Sequence, residues 1–301
     1  MSQSDFLMKI TEYQTPFLNA LAAIFTFLGN EEFYFLIVPL VYWCITKQAG
    51  FRLFYIFLLS VTVNAFLKIT FAIQRPIGVE GIHSLFIDSA EVGSHYPYDS
   101  FPSGHAQGST TLWGYLAYLV ARPLFWLFSI VLILCISFSR LYAGLHWPTD
   151  VATGIMIAVT ILFISIRLQD RLSNLSEKGK WMLAIGTPLV IVSVFPEEEG
   201  IKYAGFLLGA GVGYLLEHKT VSMVIATEIW RKVLAYAVGI IGLFGLQVGL
   251  KVLFPEMMLF DFIRYGCIGL WGLYGAPYIF IKCKIYQREK EIPLPKGQIS
   301  I

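Results

Sequence analysis

Charge is what this 301-residue chain has least of. Asp, Glu, Lys and Arg together make up 14% of it, where soluble domains carry about 25%. That shortage, with 56% of residues in the AVILMFWYC set and a mean hydropathy of +0.67, argues against both an ordinary soluble domain and a disordered one. An excess of either sign is lacking too: 22 basic residues stand against 20 acidic ones, a net charge of +2. No extended basic surface is on offer for nucleic acid. Cysteine is sparse, and Cys44, Cys135, Cys267 and Cys283 fall within or beside apolar runs without paired spacing. They read as free, buried thiols, not as a disulfide framework or a zinc knuckle. The opening MSQSDFLMKITEYQ has neither the basic stretch nor the small-residue cleavage site of a secretory signal, so the first apolar segment is expected to stay. There is no soluble linker, no low-complexity tract and no convincing internal repeat.

What the chain does have, from end to end, is apolar runs suited to crossing a bilayer. Ten can be marked: Pro16 to Leu28, Phe33 to Thr46, Arg52 to Ile73, His105 to Ala121, Pro123 to Ser139, Trp147 to Arg167, Trp181 to Phe195, Lys202 to Leu216, Lys232 to Leu250 and Ile263 to Ile281. The expected fold is all-α, a polytopic membrane helix bundle of about ten transmembrane helices. The first two segments fall short of the roughly 20 residues of a straight span, so one of them is expected to be tilted, re-entrant or interfacial.

Orientation follows from the bias of Lys and Arg toward the cytoplasm. With a cytoplasmic N-terminus and a change of side at every span, 16 of the 22 basic residues collect inside, while 12 of the 20 acidic residues, including Glu31, Glu32 and Glu197 to Glu199, lie outside. Three of the six outside cations, Lys68, Arg75 and Arg140, sit at the outer ends of spans. One such residue reads most simply as a snorkelling side chain. Three of them beside the motifs below point to a function that retains them.

Those motifs are KITFAIQRP (Lys68 to Pro76), PSGH (Pro102 to His105) and SRLYAGLHWPTD (Ser139 to Asp150), all on the outer face of the expected topology. The first two flank the longest non-apolar stretch, Gln74 to Gly104, and a long loop in a compact protein is usually functional. Lys68, Arg75 and Arg140 converging on one point make a site for a multiply charged anion, phosphate being the commonest. PSGH opens a helix, where the N–H groups of Ser103, Gly104 and His105 would point at an anion. His146 and Asp150 are four apart and share a face, so the carboxylate can hold one imidazole nitrogen and leave the other free to attack. His105 is available to protonate a departing alkoxide. Glu217, His218 and Lys219 read as interfacial, and Gly205, Gly209 and Gly213, recurring every four residues, read as close helix packing.

The pattern of Lys, six residues, Arg-Pro, then PSGH, then Ser-Arg, five residues, His, three residues, Asp resembles the signature of the type 2 phosphatidic acid phosphatase superfamily, which includes glucose-6-phosphatase and vanadium haloperoxidases. Eleven identities carry it: Lys68, Arg75, Pro76, Pro102, Ser103, Gly104, His105, Ser139, Arg140, His146 and Asp150. The resemblance implies a six-helix membrane phosphatase core over residues 16–167, leaving a four-helix extension over 180–283 and a cytoplasmic tail over 284–301. It implies a metal-independent phosphatase without cofactor. His146 would form a phosphohistidine, Asp150 orient it and His105 act as general acid, while Lys68, Arg75, Ser103, Gly104 and Arg140 bind the phosphoryl oxygens. The implied substrate is a membrane lipid phosphate or diphosphate; the charge count puts the site on the extracytoplasmic face, and the compact chain and motif style suggest a bacterial inner membrane, with an endoplasmic reticulum enzyme whose site is lumenal showing the same sidedness. Transfer of the phosphoryl group to another lipid, hydrolysis of a sugar phosphate, and a transporter retaining a phosphate site are the alternatives. The sequence leaves the oligomeric state and the role of the extension open.

Overall fold

A computed structural model describes residues 2–90 and 95–289. Residues 91–94 of the long loop, and 290–301 of the expected tail, lie outside the described residues. The fold is all-α, with twelve helices among the described residues: α1 (Gln3–Thr11), α2 (Pro16–Phe27), α3 (Glu31–Leu40), α4 (Lys47–Phe71), α5 (Gly104–Val120), α6 (Pro123–Tyr142), α7 (Pro148–Ser173), α8 (Glu177–Val194), α9 (Glu198–Leu216), α10 (Ile229–Leu253), α11 (Met258–Leu270) and α12 (Ala276–Lys282). Each apolar segment of the sequence falls on helix. Four of these helices, α4, α6, α7 and α10, are long and apolar enough to cross a membrane, or five spans if the bent pair α2–α3 counts as one. The remaining apolar segments form helices that are shorter or more charged. All four cysteines are free; Cys44 alone is buried, and Cys283 is exposed.

The chain forms two compact units, Met1–Phe35 with Leu53–Ser173, and Leu36–Arg52 with Asn174–Ile301. In the first, α5 packs against α6 and α7, and α2 lies on α6. Between α4 and α5 runs a buried polar ladder. Asn64 Nδ2 donates to Gln107 Oε1 (2.8 Å), Gln107 Nε2 donates to the Ser60 carbonyl (2.7 Å), and the Ser60 and Thr111 hydroxyls meet at 2.9 Å. Such groups stay in an apolar interior only when paired with one another. Gly154 of α7 is required by a close approach, since a Cβ there would lie 2.7 Å from the Ser103 carbonyl.

The N-terminal residues correct the expected topology. The helix α1, closed by a capping box between Ser2 and Asp5, is too short and polar for hydropathy to mark. Gln3 Oε1 accepts from the Thr149 N–H (3.1 Å) and hydroxyl (2.9 Å), Thr11 Oγ1 accepts from the His83 N–H (3.2 Å), and Gln14 Nε2 donates to the carbonyls of His83 and Tyr142 (2.9 Å each). These partners lie in the long loop, at the end of α6 and at the start of α7, which together form the face bearing the motifs. Residues 2–15 therefore share that face instead of lying opposite it. The segments expected as two crossings form one apolar element bent by 51°, broken at Gly29 and Asn30, whose N–H groups close turns on Thr26 and Phe27 (3.0 and 3.1 Å). The basic-residue count could not detect this, because only Lys9 changes sides.

In the second unit, α9 lies directly on the backbone of α11. A Cβ on Gly209 would fall 1.9 Å from the Gly266 carbonyl oxygen, and one on Gly205 would fall 2.3 Å from that of Phe262, the close approach that small-residue spacing permits. Glu217 departs from its interfacial reading. It is fully buried, takes two hydrogen bonds from Lys47 Nζ (2.9 and 3.1 Å) and accepts from Met223 N–H (2.8 Å), while His218 beside it is exposed. The pair joins the start of α4 to the strand Met223–Val224, which runs antiparallel to Gln287–Arg288.

The corrected topology is directly testable. In a background with the four native cysteines replaced, Glu12→Cys and Glu80→Cys should react with an impermeant maleimide from the same side of the membrane, and Arg122→Cys only from the other. Labelling of Glu12→Cys together with Arg122→Cys would restore the N-terminus to the opposite face.

Candidate active site

Helices α4 and α6 end, and α5 and α7 begin, on one face of the first unit, and this alternation gathers the motifs. Lys68 stands in the last turn of α4 and Arg140 in that of α6. Arg75 follows α4 in the loop, Ser103 caps α5, Gly104 and His105 open it, His146 lies in the turn before α7, and Asp150 lies in the first turn of α7. Arg75, Arg140, His146, Asp150 and Ser103 are all buried.

A residue that the sequence reading passed over organises the cations. Asp99 takes Arg75 Nε on one carboxylate oxygen (2.7 Å) and Arg75 Nη2 on the other (2.8 Å), the two-pronged geometry in which an Arg–carboxylate pair is strongest. Lys68 Nζ donates to the main-chain carbonyl of the same Asp99 and lies 3.7 Å from its carboxylate. Burial alone would raise the Asp99 carboxyl, but the Arg75 hydrogen bonds and the Lys68 and Arg75 charges outweigh it and hold the group below its ordinary range. Arg140 is anchored separately, with Nη1 on the Ser89 hydroxyl (3.1 Å).

Anchored this way, Arg75 points its remaining nitrogen, Nη1, at His146 Nε2 (3.1 Å) and at the Leu145 carbonyl (3.0 Å). A guanidinium only donates, so Nε2 presents its lone pair and the ring proton sits on Nδ1. Burial first, then the charges of Arg75, Lys68 and Arg140, hold this imidazole well below its ordinary pKa, so His146 is neutral at pH 7. Nδ1 faces Asp150 Oδ2 at 3.5 Å, beyond a hydrogen bond. The expectation that the carboxylate holds the ring needs this correction: Oδ2 is already committed to the Ser100 hydroxyl (2.5 Å) and the Trp147 N–H (2.8 Å). Nδ1 and Asp150 Oδ1 have no hydrogen-bond partner among the described residues.

The helix-end cradle is smaller than expected. The Ser103 N–H donates to the Asp150 carbonyl (3.0 Å) and is not free for an anion. The N–H groups of Gly104 and His105 precede the first helical bond, from Gln107 N–H to the Ser103 carbonyl (3.0 Å), and so lack helical acceptors. The hydroxyl of Ser103 and Nε of Arg140 are buried without a partner among the described residues. His105 Nε2–H donates to Asn30 Oδ1 (2.8 Å). Ser139 stays out of the site, its hydroxyl bonded to the Ile136 carbonyl (2.7 Å) and near Thr26 (3.3 Å). Among the described residues no three His, Cys, Asp or Glu side chains gather as a metal-binding group.

A family model described as the PAP2 superfamily matches residues 49–173, and one described as the PAP2 superfamily phosphatase transmembrane extension matches residues 201–288. The chain belongs to the PAP2 superfamily, and its apolar helices make it a membrane-embedded member. Among its relatives is an undecaprenyl-diphosphatase of Sulfolobus acidocaldarius, 28% identical over 168 residues, covering 54% of this chain and 77% of the relative. A probable sphingosine-1-phosphate phosphatase of Dictyostelium discoideum is 28% identical over 233 residues, 70% of this chain and 55% of that protein. An undecaprenyl-diphosphatase of Bacillus subtilis is 27% identical over 114 residues, 38% of this chain and 54% of that one. The chain thus spans about half the length of the last two. No solved structure matches it.

Asp99 was missed because its partners lie 24 and 31 residues away, and a lone Asp in a long loop carries no spacing signal. Its function is nonetheless measurable. With Arg75 released, Asp99→Ala should lower kcat/KM for phosphate release about 10- to 100-fold, the scale of a lost hydrogen bond to a charged group. An unchanged kcat/KM would mean that Arg75 holds its place without the carboxylate.

Proposed function

We propose that this protein hydrolyses a lipid phosphate or lipid diphosphate by transferring the phosphoryl group to His146 Nε2 and then to water. The observation that carries the reading is the neutral, buried His146 whose Nε2 lone pair is aimed at an arginine in a cluster of three cations. A phosphoryl group accepting from Arg75 Nη1 would take this donor from Nε2 and put phosphorus in its place. Its oxygens would also meet the unpaired Ser103 hydroxyl and Arg140 Nε, buried donors that are costly to leave unsatisfied, together with Lys68 and the N–H groups of Gly104 and His105. Charge gathering on the equatorial oxygens in the transition state then falls among donors already in place.

In the first step the Nε2 lone pair forms the N–P bond while the P–O bond to the lipid breaks, and His105 gives its proton to the departing oxygen. The phosphorylated His146 ring is left with its proton on Nδ1, and the Asp150 carboxylate at 3.5 Å stabilises the positive charge that develops there. In the second step His105 takes a proton from water, the new O–P bond forms and the P–N bond breaks, returning phosphate and the neutral imidazole. Each step uses side chains of this chain only, and no cofactor or metal has a place in the scheme.

Two supports favour a lipid substrate: the site is built at the ends of apolar helices, and the relatives are named for undecaprenyl diphosphate and sphingosine 1-phosphate. The basic-residue bias supports an extracytoplasmic site. With Lys9 moved to the site face, 15 of the 22 basic residues remain opposite it in the alternation of segments, as for a bacterial inner-membrane enzyme acting from the periplasmic side.

The test is phosphate release by detergent-purified protein in excess EDTA, from sphingosine 1-phosphate, phosphatidic acid, undecaprenyl diphosphate and glucose 6-phosphate. Release from a lipid substrate should persist in EDTA, fall about 10⁴-fold or more in His146→Ala, and fall less in Asp150→Asn. A fully active His146→Ala protein, or activity abolished by EDTA, would overturn the mechanism, and release from glucose 6-phosphate alone would overturn the substrate class.

A further inference from the structure

The bend between α2 and α3 lies 38 residues before the nearest signature position, yet it closes against the His105 ring. Asn30 Oδ1 accepts from Nε2–H at 2.8 Å. A methyl on Gly29 would lie 2.8 Å from Cδ2 of the same ring, 3.3 Å from His105 Cβ and 2.8 Å from Ile136 Cγ2, so the bend leaves no room for a side chain at residue 29. One turn earlier, the Thr26 and Ser139 hydroxyls meet at 3.3 Å, which ties the bend to α6 beside Arg140. The Cδ2–Nε2 edge of His105 is thus covered, and Nδ1 is the ring nitrogen left for chemistry.

We infer that Asn30 is a positioning residue for proton transfer by His105: its amide oxygen holds Nε2–H and reserves Nδ1 for the reacting oxygens. This rests on the reading of His105 as the acid in the proposed reaction. An amide is well suited to the task. It fixes tautomer and ring orientation as a carboxylate would, but without a negative charge that would make the ring cling to its proton. In the first step Nδ1, protonated by the incoming phosphate monoanion or by the water step of the preceding turnover, gives that proton to the ester oxygen as the P–O bond breaks. In the second, the Nδ1 lone pair takes a proton from water as the O–P bond forms and the bond from phosphorus to His146 breaks.

Dependence on the leaving group separates this role from a structural one. A nitrophenolate leaves without a proton, whereas an alkoxide needs one. Asn30→Ala should therefore lower kcat/KM for dodecyl phosphate about 100-fold, within the range of general acid catalysis, and that for 4-nitrophenyl phosphate by less than about threefold. His105→Ala should show the same selectivity with a larger loss. Gly29→Ala, which pushes on the ring from the same bend, is the second variant should Asn30→Ala fail to fold by size exclusion in detergent. Equal losses on both substrates in the Asn30 or Gly29 variants, with His105→Ala still selective, would overturn the inference alone. Equal losses in His105→Ala would overturn the reading of His105 as the acid, and the inference with it.

Discussion

Keeping three cations together at the membrane-facing ends of helices is the constraint on which the rest of this structure depends. Like charges repel strongly away from bulk water, and a buried ammonium or guanidinium is stable only when paired and hydrogen-bonded. Asp99 meets that need for two of them, taking Arg75 on its carboxylate and Lys68 on its carbonyl, while Arg140 rests on Ser89. Burial first, and then the positive field left over, keep His146 a neutral base with its lone pair exposed to Arg75. Binding a phosphoryl group and generating the nucleophile are thus consequences of one electrostatic arrangement.

Helix direction does the rest. Lys68 and Arg140 occupy C-terminal turns, where the helix dipole favours cations, and the start of α5 turns free N–H groups and the positive end of its dipole toward the same anion. The ends of α4 and α6 and the start of α5 therefore supply two kinds of anion contact to one point, side-chain cations and main-chain N–H groups. The close seat of Gly154 on the Ser103 carbonyl and the bond from Ser103 N–H to the Asp150 carbonyl lock the starts of α5 and α7 together. That lock uses the N–H the sequence assigns to the anion.

Much of this is legible without coordinates. The apolar segments mark the helices because in a bilayer each helix must present an apolar surface of its own, and the motif spacings place Lys68, Arg75, Arg140, His105, His146 and Asp150 at helix ends on one face. What stayed hidden is tertiary. Asn30 meets His105 across 75 residues, and neither its neighbours nor its spacing hint at the contact. The capping box of α1 was present in Ser2 and Asp5, but nine polar and apolar residues fall below any hydropathy threshold. The bend at Gly29 converts two expected crossings into one element, a change a charge count registers through Lys9 alone. The 3.5 Å gap between His146 and Asp150 shows the limit of periodicity: a four-residue spacing brings two side chains near each other, and the competing donors Ser100 and Trp147 decide whether they bond.

The central claim is a covalent phosphoryl intermediate on His146, and the stereochemical course at phosphorus tests it most directly. With a lipid phosphate ester made chiral by oxygen isotopes and the phosphoryl group passed to an alcohol acceptor in place of water, two successive in-line displacements invert phosphorus twice, so the account predicts overall retention of configuration. Inversion would mean a single direct displacement, and would contradict a nucleophilic role for His146.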